Sequence, residues 1–162
     1  MSFLWNTFFG KILMTLIISM VPVIELRGAI PVAVANGLDW RIAIPVAIIG
    51  NLIPVPFIIV FIKRIFAWMR KKSDKLNGIV TRLENKAEKK APTVQKYAFW
   101  GLFIFVAIPL PGTGAWTGAL IAAMLDMRLK RAFPSILLGV LGAGIIVAFV
   151  SYGAGALIGA LI

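Results

Sequence analysis

The 162-residue sequence contains no cysteine and no histidine, and it has only six acidic residues. Without cysteine there can be no disulfide, no thiol redox chemistry and no thiolate metal site. Without histidine the commonest general base, the commonest metal ligand and the side chain that titrates nearest neutral pH are all missing. Six carboxylates leave little from which to build a hydrolytic or metal centre. Charge of either sign is scarce, at 14% of residues against 60% hydrophobic, where a soluble domain averages about 25% charged. A chain this small cannot hide so much apolar surface in its own core, so lipid must be the solvent for most of it. The composition speaks against an enzyme and for an all-α integral membrane protein. No nucleotide loop or metal-ligand spacing is present, and no cofactor is expected.

The basic residues that are present are gathered in one place. Between Lys63 and Lys96 stand 11 Lys/Arg against 3 Asp/Glu, a net +8 out of +11 for the chain. A basic cluster between apolar segments marks a cytoplasmic loop of a multi-pass cell-membrane protein. Its expected partner is anionic membrane lipid rather than nucleic acid. Within it Ser73 or Asp74 can cap a helix, with Leu76, Ile79, Val80, Leu83 and Ala87 as its apolar stripe and Pro92 after its end.

Four apolar stretches surround this loop: 12–38, 42–62, 97–125 and 132–162. The first is interrupted only by Glu25, Arg27 and Asn36, and the others carry no charge. Each reaches the roughly 20 residues that a spanning helix needs. Ahead of them Leu4, Trp5, Phe8, Phe9 and Ile12 share one helical face, so residues 1–11 are expected to lie in the membrane interface. Lys11 and the apolar run behind it look like a signal peptide, but Glu25 and Arg27 stand where small neutral cleavage residues belong, so no removable signal is expected.

Stretch 97–125 is too long and too broken for one straight crossing. As a helix it would extend about 44 Å against a hydrocarbon core of about 30 Å, and Pro109, Pro111, Gly112 and Gly114 interrupt its middle. Loop charge gives a parity test. With 63–96 inside, a full crossing would put the link 126–131, with its net +2, outside and violate the charge rule. A re-entrant hairpin over 97–125 keeps the link inside. Stretch 12–38 is broken in the same way, between Pro22 and Pro31. Pro22 matches Pro109, Gly28-Ala29 matches Gly114-Ala115, and Leu38–Arg41 matches Leu125–Arg128. Each block then runs into an uncharged helix. The expected architecture is therefore two inverted repeats, each a re-entrant helical hairpin plus a transmembrane helix, in one membrane domain. Inverted repeats with broken helices meeting at the midplane are a transporter design.

Glu25 and Arg27 are the two charges set deep in an apolar stretch. Ionisable groups there are costly and mark substrate or proton paths unless they serve as a structural pair at the hairpin tip. The second tip has no charge but offers Gly112, Thr113, Gly114 and the N-terminus of a helix starting near Ala115, where free N–H groups attract an anion. Thr113 or Thr117 could add a hydroxyl. Set opposite Arg27, these groups describe a phosphate or carboxylate receptor. Asp39, Arg41, Asp126 and Arg128 read as interfacial pairs or helix caps. Asn51, with Pro54 and Pro56, breaks the 42–62 helix and is expected to line the cavity. The glycines of 132–162, among them Gly139, Gly142 and Gly144, read as close-packing positions, with a homodimer as the expected assembly.

At the two tips, Glu25-Leu-Arg-Gly-Ala-Ile-Pro31 and Pro109-Leu-Pro-Gly-Thr-Gly-Ala-Trp-Thr-Gly118 resemble the paired motifs of the small multidrug export protein family, which is similar to the DedA/VTT superfamily. The resemblance runs from about Met14 to Gly153 and implies two inverted re-entrant hairpins. In DedA relatives it implies translocation of polyprenyl phosphate or phospholipids, often linked to the proton gradient, with an acid and arginines essential. Glu25 matches the acid and Arg27 a first-hairpin arginine. The relatives' second arginine has no equivalent before Arg128.

Three functions are open on these residues. The first is a proton-coupled transporter or flippase for a phosphate-bearing lipid or small anion, bound by Arg27 and the groups around Gly112–Ala115, with Glu25 carrying the proton. The second is an exporter of hydrophobic cations with Glu25 as counter-ion. The third is a non-transporting scaffold acting through its basic loop.

Overall fold

The computed structural model describes residues 6–110 and 112–150. Pro111, expected to break a helix, lies outside them, as do the start of the expected interfacial piece and the last part of stretch 132–162. Every regular element described is helical: α1 (Phe8–Met20), α2 (Glu25–Ala35), α3 (Trp40–Leu52), α4 (Pro54–Lys72), α5 (Asp74–Ala107), α6 (Ala115–Met124) and α7 (Leu129–Ala148). Two runs are long and apolar enough to cross a bilayer. One is Trp40–Lys72, formed by α3 and α4 together, and the other is α7.

Side-chain size sorts these helices in the manner expected of lipid as solvent. The interior is rich in small residues, with Ala29, Ala33, Ala43, Ala47, Ala119, Ala122 and Ala132 fully buried. Phe8, Phe9, Phe57, Trp68, Trp100 and Ile145 point outward. Bulky apolar groups gain nothing by leaving lipid, so helices in a bilayer associate through close backbone approach at small residues. Gly50 shows this for α1 and α3: a Cβ there would overlap Ser19 Oγ and come 2.6 Å from the Leu16 carbonyl oxygen. Gly139 does the same for α5 and α7, where a Cβ would lie 2.6 Å from Val106 Cβ and 3.0 Å from the Phe103 carbonyl oxygen. Gly50→Ala is expected to cost about 1–3 kcal/mol by overpacking, read as a lower unfolding midpoint in detergent. Gly142 and Gly144 likewise face Ala107 and Ile48 of the same chain.

The two halves share a pattern of helix pairing. Helices α1, α2 and α3 pack on one another, α5, α6 and α7 do the same, and α3 meets α7 between them. Both second helices end in the same left-handed turn, at Gly37 (φ 76°) and Asp126 (φ 52°). There Leu38 N–H bonds the Ala33 carbonyl at 3.0 Å, and Met127 N–H bonds that of Ala122 at 2.9 Å, which closes the last turn of each helix. The structural register thus sets Leu38 opposite Met127, not Leu125 as the sequence match has it. The cause is the length of the breaks, four residues (21–24) in the first half and seven (108–114) in the second.

Several expected boundaries move. Helix α1 starts from the Thr7 cap and runs unbroken through Lys11, so no turn separates an interfacial piece from stretch 12–38. Pro31, expected to break the helix, sits inside α2. It frees only the Arg27 carbonyl, and α2 packs against α1 and α3. The residue that interrupts 42–62 is Ile53, itself in helical geometry, with Pro54 opening α4, a position where a missing N–H costs nothing.

The basic segment differs most. It is helical nearly throughout: α4 reaches Lys72, Ser73 is extended, and α5 passes Pro92 to a break at Ala98 (φ 44°, ψ −107°). There the chain turns back on itself. Lys90 lies 5.4 Å from the centre of the Phe105 ring, although a straight helix would separate these residues by about 22 Å. The segment therefore packs beside the second break instead of looping away from it.

Candidate functional site

The two helix breaks are finished by side chains from the opposite half. Glu25 begins α2 at a left-handed φ of 50°, and its side chain is 3% exposed. Its carboxylate crosses to the second half and accepts a hydrogen bond from the backbone N–H of Trp116 at 3.1 Å. It thereby sits on the positive end of α6, where N–H groups have no partner within the helix. Gly114 makes this approach possible. A Cβ there would overlap Glu25 Oε2 and lie 2.7 Å from Cδ, and φ is 123°.

Arg27 completes the other end of the same break. Its Nη1 donates to the carbonyls of Leu110 (2.7 Å) and Thr113 (3.0 Å). Its Nη2 donates to those of Ile108 (3.2 Å) and Val106 (3.4 Å) and to Thr113 Oγ1 (3.0 Å). These carbonyls belong to the end of α5 and the chain beyond it, where the regular helical N–H partners run out, although Ile108 and Leu110 each also accept a turn bond, from the N–H of Leu110 (2.9 Å) and of Thr113 (3.2 Å). A guanidinium is suited to the task because it carries five donors in a rigid fork. Thr113 supports it by donating its own hydroxyl toward the carbonyls of Ile108 (2.7 Å) and Leu110 (2.8 Å). In return, the second half serves the first break: the Trp116 indole donates to the Met20 carbonyl at the end of α1 at 3.0 Å.

Two residues that would point apart on a regular helix thus reach opposite ends of one break. The groups of the receptor expected between Arg27 and the N–H groups near Ala115 are engaged within the protein. The anion on the α6 N-terminus is the Glu25 carboxylate, and the five hydrogen bonds of the Arg27 terminal nitrogens go to four backbone carbonyls and a hydroxyl. Glu25 and Arg27 do not form an ion pair with each other; among the described residues the ion pairs are Lys63–Asp126, at 2.6 Å, and Arg70–Glu84.

Beside this junction lies a cavity of about 190 Å³. One wall is Pro22, Val23 and Glu25, a second is Gly112, Thr113, Trp116, Thr117 and Leu120, and the third is Ile62 and Phe66 of α4 with Leu83, Lys86 and Ala87 of α5. Arg27 and Pro109 border a separate hollow with Ile146, Val147 and Val150. Asn51 is fully buried in α3, away from both, and neither its Oδ1 nor its Nδ2 has a partner. At the links, Asp39 caps α3 by accepting from Arg41 N–H at 2.8 Å, while Asp126 pairs with Lys63 across to α4.

Sequence reasoning did not single out Lys86, Lys90 or Trp116. Lys90 donates to the Gly112 carbonyl, and burial holds its ammonium below the ordinary lysine range, with repulsion from Lys86 and Arg27 adding to the effect. The two lysines are four apart and flank the apolar stripe ending at Leu83 and Ala87, which was the available signal. Nothing in the sequence marked the indole of Trp116 for Met20.

No curated protein and no solved structure matches the chain. One family model matches, that described as "Putative small multi-drug export protein", over residues 25–146, from Glu25 itself to Ile146 of α7. This match covers three quarters of the sequence, with Glu25, Arg27 and the whole of the second break, and the chain belongs to the small multi-drug export protein family.

Proposed function

We propose that the protein is a secondary transporter for a phosphate-bearing anion, lipid-linked or small, and that it couples movement of the anion to protons through Glu25. In this reading the halves are inverted repeats, each broken pair of helices is a re-entrant hairpin, and the basic segment faces the cytoplasm by the charge rule. One observation carries it: a carboxylate from the first half sits on the helix end that opens the second, on the wall of a cavity. A carboxylate so placed is the resident anion of a site built for anions. Taking up a proton cancels its charge and loosens its hold on the α6 N-terminus, which frees those N–H groups for the anion being carried. Arg27 keeps the break in shape while this exchange occurs.

The test uses proteoliposomes with an imposed pH gradient, following polyprenyl phosphate across the bilayer. Wild-type movement should rise with the gradient. Glu25→Gln keeps an acceptor for the Trp116 N–H but cannot lose or gain a proton, so residual movement should no longer respond to the gradient. A Glu25→Gln protein that follows the gradient as wild type does would overturn the coupling role.

Export of hydrophobic cations is the second reading, favoured by the family description and by the apolar walls around Glu25. Lys86 on the same cavity, with Lys90 and Arg27 close by, opposes it.

A further inference from the structure

We propose that Lys86 and Lys90 of α5, with Thr117 of α6, form the head-group site of this cavity, and that its ligand is a phosphate monoester on an apolar chain. The inference rests on the transporter reading above, which already takes a phosphate-bearing anion, and adds to it which residues bind the head group.

The first support is geometric. The fold-back at Ala98 brings both lysines to the second break. Their ammonium nitrogens lie 3.1 Å (Lys90) and 3.6 Å (Lys86) from the point where a Cβ on Gly112 would stand. Lys86 and Thr117 line the cavity directly. Lys90 is anchored at its edge by the Gly112 carbonyl and the Phe105 ring. The glycine is what lets two lysine ends gather there.

The second support is charge. Arg27, Lys86 and Lys90 converge near one acid, Glu25, which leaves an excess of two positive charges. Lys86 has no acidic partner among the described residues, since Glu84 on the same helix is taken by Arg70. Two like charges four residues apart on a helix repel one another, and Arg27 adds to the repulsion on Lys90. A phosphate monoester carries about −1.5 to −2 at neutral pH and would balance the excess, whereas a carboxylate would leave one cation uncompensated. Lysine ammonium groups bind phosphate as point charges without demanding fixed geometry.

The third support is the rest of the lining. Ile62, Phe66, Leu83 and Leu120 surround the polar corner, and such walls suit a hydrocarbon chain.

Binding to the purified full-length chain in detergent would be measured with dodecyl phosphate, inorganic phosphate and dodecyltrimethylammonium. The proteins would be wild type, Lys86→Gln, Lys90→Gln and, as a distant change on the same helix, Lys75→Gln. Dodecyl phosphate is expected to bind most tightly. Each of the first two variants should weaken it roughly tenfold, the worth of one charge-assisted contact, and Lys75→Gln should leave it unchanged. Inorganic phosphate binding as tightly, with the same lysine dependence, would uphold the phosphate site but overturn the apolar chain. Wild-type affinity for dodecyl phosphate in both Lys86→Gln and Lys90→Gln would overturn the head-group assignment and leave the transporter reading standing. Binding of dodecyltrimethylammonium alone would overturn both.

Discussion

Arg27→Ala should remove most of the stability of the second break and all transport. Its two terminal nitrogens serve four backbone carbonyls and one hydroxyl. Without the guanidinium these carbonyls keep only local partners, the Thr113 hydroxyl and two backbone N–H groups. Hydrogen bonds to a charged donor are worth about 1.5–3 kcal/mol each, but they act here as one unit, so a loss of at least about 3 kcal/mol is expected. At the usual scaling this lowers the unfolding midpoint by roughly 10 °C. Arg27→Lys should recover little, because an ammonium has three donors and no fork. Thermal unfolding in detergent, followed by intrinsic tryptophan fluorescence, reads the effect. A midpoint within a degree or two of wild type for Arg27→Ala would show that the carbonyls do not depend on the guanidinium.

Gly114→Ala should be nearly as damaging, for two separable reasons. At φ 123° only glycine is at ease, and a side chain there is strained by about 1–3 kcal/mol. The new methyl would also occupy the place of the Glu25 carboxylate, pushing an anion off the α6 N-terminus and into an apolar surround. The second effect disappears when Glu25 is shortened. In a double-mutant cycle, Gly114→Ala should cost at least about 1 kcal/mol less in a Glu25→Ala background than in wild type. Equal costs in both backgrounds would separate Gly114 from Glu25 and leave only backbone strain.

What the sequence disclosed follows from which forces act locally. The apolar stretches, the breaks after Pro22 and Pro109 and the two isolated charges were legible because composition and proline chemistry act within a few residues. Pro31 and Pro92 were misleading as helix breaks because each lies inside a helix, where packed neighbours can meet the freed carbonyl. The reversal at Ala98 had no signal, since Tyr97-Ala98-Phe99 contains neither glycine nor proline. Glu25 and Arg27 stood out as anomalies, but their partners are backbone groups 79 to 91 residues away. Backbone atoms leave no mark in a sequence. Lys86 and Lys90 were hidden for the opposite reason, as two among eleven basic residues whose common explanation was lipid.

The exchange of caps between the halves also bears on how the chain is made. Glu25 and Arg27 leave the ribosome long before the backbone groups at residues 106–116 exist. During that interval the first half carries a carboxylate and a guanidinium with nothing in the bilayer to meet them. The Met20 carbonyl likewise waits for Trp116. The first break is therefore completed late, after α6 has emerged. Neither half, expressed alone, holds the parts to finish its own break.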